Sequence, residues 1–360
     1  MSSKDSSNCS QSEFGNRFRI HAAIYLLIDY FLRIDAIRIE GVEDIVFFLN
    51  EDNSNSQVLI QAKSVVNPMI DFKNVLKNLR KALSTLAMNY SKDKDNIEEL
   101  IMVTNSHNPF KIEENNFFNK DEPVKKQYAL LNQDMQQRIL DYVKKDGLTI
   151  DLNKFSIQMI PYESNDETKK MAHIIGHVKE FITSLDIEDF NWSVDNISKE
   201  IIRHWSDMFY ENATKSNMTI TIKKERISWE IIVFIVEENE LFFSDFSLLY
   251  EGFQFSYKIH LILKHIFRGE STNYGYVTKI LYDFNNYYTQ KTNKKLKLIN
   301  PDKAIIKLYI EEKWDQFEEP IELNTESETE KKRAIQFIIF SIICQKSKIM
   351  KIKEKLQLCE

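Results

Sequence analysis

The chain has 360 residues, with 48 Lys and Arg against 54 Asp and Glu for a formal net charge of −6, and only 7 Gly and 6 Pro. So little Gly and Pro excludes collagen-like and low-complexity chains and argues for long regular elements. No two glycines have the spacing of a P-loop or a dinucleotide fingerprint, so any ATP dependence is expected to come from a partner protein.

The negative total argues against a uniformly basic coat for nucleic acid, although a local basic groove depends on one face alone. Length predicts roughly two domains. Cys9, Cys344 and Cys359 have no paired spacing. Neither a disulfide framework nor a zinc motif is expected, and a reducing cytoplasm is the natural setting. The start, MSSKDSSNCSQSE, is polar, so residues 1–12 are expected to be a disordered tail and not a signal peptide. The apolar run 22–28 lies between His21 and Asp29. It falls far short of the ~20 residues of a membrane span, and no membrane attachment is expected.

In chain order, residues 14–34 read as a packed core helix, apolar on nearly every face between Arg17, Arg19, Asp29 and Arg33. Two strands are predicted at 37–49 and 58–66, joined through the turn-forming EDNSNS. Residues 72–90 form an amphipathic helix with Phe72, Val75, Leu76, Leu79, Leu83 and Leu86 on one stripe. A buried strand at 100–104 ends at 105–109, a helix is predicted at 126–145, a strand at 155–161 and a helix at 167–185. The succession predicts an α/β domain, a central mixed sheet flanked by helices, over residues 13–220. Beyond it no proline occurs between Pro161 and Pro301. Apart from strand-like alternation at 218–223, residues 221–360 read as a mainly helical C-terminal domain for partner binding or oligomerisation.

The chemistry concentrates in the first two strands. Alternate strand residues share a face. Glu40 and Asp44 are therefore nominally on one side, with Glu43 on the other, and Gln61 and Lys63 share a side of the partner strand. The flanks, Ile45 to Leu49 and Val58 to Ile60, are apolar. A lysine beside carboxylates in such a strand needs a reason, because unpaired buried charge is expensive. Phosphodiester hydrolysis supplies one. Carboxylate oxygens take a hard cation such as Mg²⁺, with Gln61 and the Ala62 carbonyl as neutral oxygen donors. Lys63 can oppose the negative charge that builds in the transition state. On residue types alone, an ion-pair cluster on a half-exposed hairpin reads as well, and Gln61 taken singly reads equally as a polar core residue.

An acidic residue, a hairpin and then Gln61-Ala-Lys63 resemble the PD-(D/E)xK nuclease superfamily in its Gln-x-Lys variant. The wider order adds the aromatic-rich helix Phe14-Gly-Asn-Arg-Phe-Arg-Ile-His, Glu40-Gly-Val-Glu-Asp44 and Ile101-Met-Val-Thr-Asn105. It resembles the double-stranded DNA endonuclease effector domain of bacterial anti-phage systems, among them CBASS effectors and the nuclease subunit of Lamassu systems. The resemblance runs from residue 13 to about 190–220. The chain departs from it in having no Pro before Asp44 and Gln61 in place of the second acidic residue. The resemblance implies a restriction-endonuclease-like core and a Mg²⁺- or Mn²⁺-dependent endonuclease. In it Asp44 is the principal metal ligand, Glu40 and Gln61 are auxiliary ligands, and Lys63 stabilises the transition state. It also implies control by an SMC-like ATPase and an accessory subunit, with self-association on activation. A ribonuclease, or a non-catalytic DNA-binding scaffold, remains the alternative.

Lys73, Lys77, Arg80 and Lys81 fall on one helical stripe and could grip DNA phosphates. A solvated helix face is the commoner meaning of that spacing. His173 and His177 lack the Glu of a zinc helix motif and are expected to pack. Phe246 and Tyr250, in an aromatic-rich stretch that also holds Phe253 and Phe255, are expected in a core.

Overall fold

A computed structural model describes residues 3–39, 44–51, 54–66, 72–110, 118, 120–163, 167–186, 193–214, 220–237, 240–250, 274–292, 301–318 and 328–358. The chain divides into two compact units, 1–181 with 198–224, and 182–197 with 225–360.

The first unit is built on a seven-stranded mixed sheet of order β5-β6-β4-β3-β2-β1-β7. Helix α1 (Ser3–Tyr30) leads into β1 (Ile34–Ile39), β2 (Asp44–Glu51) and β3 (Ser54–Lys63). Helix α2 (Phe72–Tyr90) crosses to β4 (Ile97–Thr104). Then come β5 (Val124–Gln127), α3 (Gln133–Lys145), β6 (Phe155–Met159), α4 (Glu167–Ser184), α5 (Val194–Thr214) and β7 (Ile222–Lys223). Strands β3, β4 and β6 are parallel, and the other pairings are antiparallel. On one face Val46, Leu59, Leu100, Met102, Ile157 and Met159 pack with Leu79, Leu83 and Leu86 of α2 and Met135 and Ile139 of α3. The other face meets α1, where the Tyr30 ring lies 5.7 Å from that of Phe47. There Glu99 accepts from Tyr30, from Lys125 at 2.8 Å and from Ser156 at 2.7 Å, so a carboxylate inside the layer is matched by donors.

Three expectations change. The strand expected at 37–49 is two strands. Ile39 pairs antiparallel with Ile45, so β1 and β2 run in opposite directions on either side of the stretch that holds Gly41. Alternation along one strand therefore does not relate Glu40 to Asp44. The helix expected at 126–145 begins only at Gln133, where the Asn132 side chain accepts from the Met135 amide at 2.9 Å. Before it lie β5 and a single 3₁₀ turn, Tyr128–Leu130. An Asn cap satisfies an otherwise orphaned amide and so fixes the helix start. Finally, α1 starts at Ser3, inside the stretch expected to be a disordered tail. The sequence offers no proline there and no glycine before Gly15 to stop a helix that carries the buried Phe14 and Phe18.

Helix α3 closes on Gly147, at φ 62°, with the Leu148 amide donating to the Val143 carbonyl at 2.9 Å. That left-handed conformation is one glycine adopts without strain.

The second unit is helical: α6 (Lys224–Glu237, from Glu225 on), α7 (Glu240–Leu249), α8 (Tyr274–Thr292), α9 (Lys303–Lys313), α10 (Glu328–Cys344) and α11 (Lys346–Lys355). Every residue from Ala334 to Ile343 of α10 is buried, as a helix apolar on all sides requires. Phe246 is buried with its ring 5.3 Å from Phe337 and 5.5 Å from Phe340. Phe253 and Phe255 lie outside the described residues. Among the described residues no helix is long and apolar enough to cross a membrane.

Candidate active site

The parallel strands end together. Lys63 closes β3 opposite Thr104 of β4, which pairs with Met159 of β6. Asp44 opens β2 directly across from Gln61. Register thus brings Asp44, Gln61 and Lys63 to the end of the sheet where the parallel strands terminate, a place where open α/β sheets bind ligands. Gln61 is 0% exposed and Lys63 8%. Being two residues apart, they share the sheet face that carries Leu59 and packs on α2. Glu40 and Glu43 lie outside the described residues, and of Asp44 only the backbone is described.

The loops that leave this edge are tied by Asn105, which is 3% exposed. Its Oδ1 accepts from the Val65 amide at 2.9 Å, and its Nδ2 donates at 2.8 Å to the carbonyls of Val65 and Tyr162. One side chain thereby joins the exits of β3, β4 and β6. Asn78 of α2 adds a bond to the Ser64 carbonyl at 3.2 Å. Tyr162 anchors α1: its hydroxyl lies 2.8 Å from His21 Nδ1, and its ring sits 5.4 Å from Phe14 and 5.2 Å from Phe18. The buried Lys170 places its ammonium 5.7 Å from the same ring. His107, two residues beyond Asn105, is pushed below its ordinary pKa by burial and then by the charge of Lys120, so its ring is neutral at neutral pH.

Sequence reasoning brings Asp44, Gln61 and Lys63 together and misses Asn105 as a hub, along with Tyr162, His21 and Lys170. From the sequence Asn105 reads as the residue that stops a strand and as the last residue of the motif Ile101-Met-Val-Thr-Asn105, with no role as a tie between strands. An Asn placed directly after an apolar run is the signal that could have marked it, because its amide both donates and accepts.

The basic stripe on α2 is only partly available. Lys77 and Lys81 are exposed, while Arg80 makes two bonds to Asp146 at the end of α3. The Lys73 side chain lies outside the described residues. That Arg80 hydrogen bond holds the Asp146 carboxyl below its ordinary range. Arg17 pairs with Glu13 at 2.8 Å, and Arg19 is buried. His177 bonds Asp29 at 2.9 Å and stacks on Tyr25 at 4.4 Å, a packing role. Among the described residues no group of three His, Cys, Asp or Glu is placed to hold a metal. At the β2–β3 end the register sets position 44 across from Gln61.

No family model matches the sequence, and no curated protein matches it. The solved structures it overlaps include SAVED/CARF-domain containing receptors. Two of them are Cap4 of Acinetobacter baumannii with the cyclic trinucleotide 3'3'3'-cAAA and Cap4 of Moraxella osloensis. The first has a TM-score of 0.38 at 12% identity over 61% of this chain and 45% of that one. The second has a TM-score of 0.37 at 13% identity over 61% and 47%. The chain therefore spans less than half the length of these receptors. A likeness of this size assigns neither fold nor function.

Proposed function

We propose that the chain is a metal-dependent endonuclease subunit of a bacterial anti-phage system, hydrolysing phosphodiester bonds of double-stranded DNA on a restriction-endonuclease-like core. The observation that carries this reading is the register of Asp44 across from Gln61, with the buried Lys63 two residues on, at the shared end of three parallel strands. A surface ion-pair cluster accounts less well for a fully buried Gln61 and a largely buried Lys63 at that place.

Asp44 as principal ligand, with Glu40 and Gln61 as auxiliaries, supplies the oxygen donors that Mg²⁺ or Mn²⁺ takes. When bound, the ion supplies positive charge at the phosphate and acidifies a water. Lys63 acts on the substrate itself. Its ammonium opposes the charge that builds on the phosphoryl oxygens, and the burial of the residue at the end of β3 limits where that charge can sit. Asn105 holds Val65, two residues beyond Lys63, and so keeps the end of β3 in place. Lys77 and Lys81 are exposed for phosphate contact beyond the reacting group.

Control by an SMC-like ATPase with an accessory subunit, and self-association on activation, rest on the sequence resemblance alone. The helical second unit is the docking surface in that scheme. The test is cleavage of supercoiled plasmid and of single-stranded RNA by the full chain, in Mg²⁺ and in EDTA. Mg²⁺-dependent cutting of the plasmid that disappears in Asp44→Ala supports the proposal. Persistent cutting by a clean Asp44→Ala preparation sinks it, and cutting of RNA alone moves the reading to a ribonuclease.

A further inference from the structure

The second unit carries a cavity that nuclease chemistry does not use. Its volume is about 540 Å³, and Tyr250, Glu311, Trp314, Glu328, Lys332 and Arg333 line it. Small-molecule sites occupy roughly 300–1,000 Å³. The cations here are seated on rings. The Arg333 guanidinium lies 4.8 Å from the centre of the Tyr250 ring and donates to Gln336 Oε1 at 2.9 Å. The Lys332 ammonium lies 4.8 Å from the Trp314 ring, and that of Lys307 lies 5.4 Å from the Tyr250 ring. Among the described residues the ion pairs of this unit include Lys291–Glu312, Lys303–Asp245 and Lys331–Glu318.

Tyr250 supplies a second, independent observation. It is 6% exposed, and its buried hydroxyl has no hydrogen-bond partner among the described residues. A buried polar group left without a partner is costly, so it needs an explanation. Burial, and then the charge of Glu311, raise the pKa of this phenol. At neutral pH it is a hydrogen-bond donor. Tyr250, a guanidinium held by Gln336 and an ammonium held over Trp314 all line one space, with the unpartnered hydroxyl buried in the wall.

We infer that this cavity binds a small organic anion, a carboxylate or phosphate ester that also carries hydroxyl or amine groups. Its anionic oxygens take the Tyr250 hydroxyl, Arg333 and Lys332, and its own donors face Glu311 and Glu328. The site is independent of the nuclease reading and stands or falls by itself.

The test is calorimetric titration of the full chain with citrate and, separately, with inorganic phosphate, using wild type, Tyr250→Phe and Arg333→Gln. Citrate probes a carboxylate source and phosphate a phosphoryl one. Saturable binding of at least one probe is expected, weakened roughly tenfold or more by each substitution, as for loss of a hydrogen bond to a charged group. Tyr250→Phe is expected to leave the Tm of the free chain unchanged or raised, because the hydroxyl it removes makes no bond among the described residues. Three results overturn the inference. One is the absence of saturable binding of either probe below about 10 mM. Another is wild-type affinity in both variants. The third is a lowered Tm for free Tyr250→Phe.

Discussion

Replacing Asn105 with Ala removes one buried side chain and three hydrogen bonds of 2.8–2.9 Å. It leaves the Val65 amide, the Val65 carbonyl and the Tyr162 carbonyl without the partner that the fold gives them. At about 1 kcal/mol net for each bond the loss sums to about 3 kcal/mol, and more where water cannot reach the stranded groups. Three kcal/mol corresponds to a roughly 150-fold larger opening equilibrium. Hydrogen exchange in the peptide that contains Val65 reads that directly, and a thermal unfolding curve of the full chain gives an independent check. Asn105→Asp is the sharper control. It keeps the acceptor for the Val65 amide but sets carboxylate oxygen against two carbonyls, so it is expected to be at least as damaging as Ala. Exchange accelerated less than about fivefold, equivalent to about 1 kcal/mol, would refute the assignment of Asn105 as the tie between the strand ends. Wild-type behaviour of Asn105→Asp would do the same.

The helix α2 stripe makes a graded prediction. Lys77→Gln and Lys81→Gln should each weaken duplex binding and reduce the salt slope of log K by about 0.9 for each phosphate that is no longer neutralised. Arg80→Gln should do less, because Asp146 already holds that guanidinium. Filter binding over a KCl series reads all three, and an Arg80 effect as large as the lysine effects would contradict the structure. Acid provides another check. The Arg80 hydrogen bond places the Asp146 pKa below its ordinary 3.8. Its stabilising contribution is therefore present above that value and is lost as pH falls through the depressed one. Asp146→Asn should lower the Tm at pH 7 and converge with wild type in strong acid. A gap that persists or widens on acidification rules the linkage out.

The residues with strong periodicity are the ones legible in advance. Helix α2 begins at Phe72 and ends at Tyr90, as its apolar stripe indicates, because Val75, Leu79, Leu83 and Leu86 repeat at helical spacing and are all buried. Strand β4 is recognisable from its buried apolar run. The break between β1 and β2 is less visible, since apolar residues flank it on both sides and the cue is the one Gly41 among charged neighbours. Likewise Lys126 and Gln127 read as the start of the helix expected at 126–145, because VKKQ has no preference strong enough to resist either state, and only pairing with β6 settles it as a strand. At the site, Gln61 and Lys63 can be read from alternation within one strand. The joining of Val65, Asn105 and Tyr162 cannot, because it depends on parallel strands whose ends are far apart in sequence.

The central claim is that Lys63 belongs to a hydrolytic centre, and the measurement that meets it most directly is the single-turnover rate of duplex cleavage by Lys63→Met. Methionine keeps the aliphatic stem that is buried at the end of β3 and removes only the charge. With Mg²⁺ affinity and thermal stability held to wild-type values, the account expects a rate lower by about a hundredfold or more, as for loss of one group that stabilises charge in the transition state. Cleavage within a few-fold of wild type, or a wild-type chain that cuts neither DNA nor RNA with metal present, would contradict it.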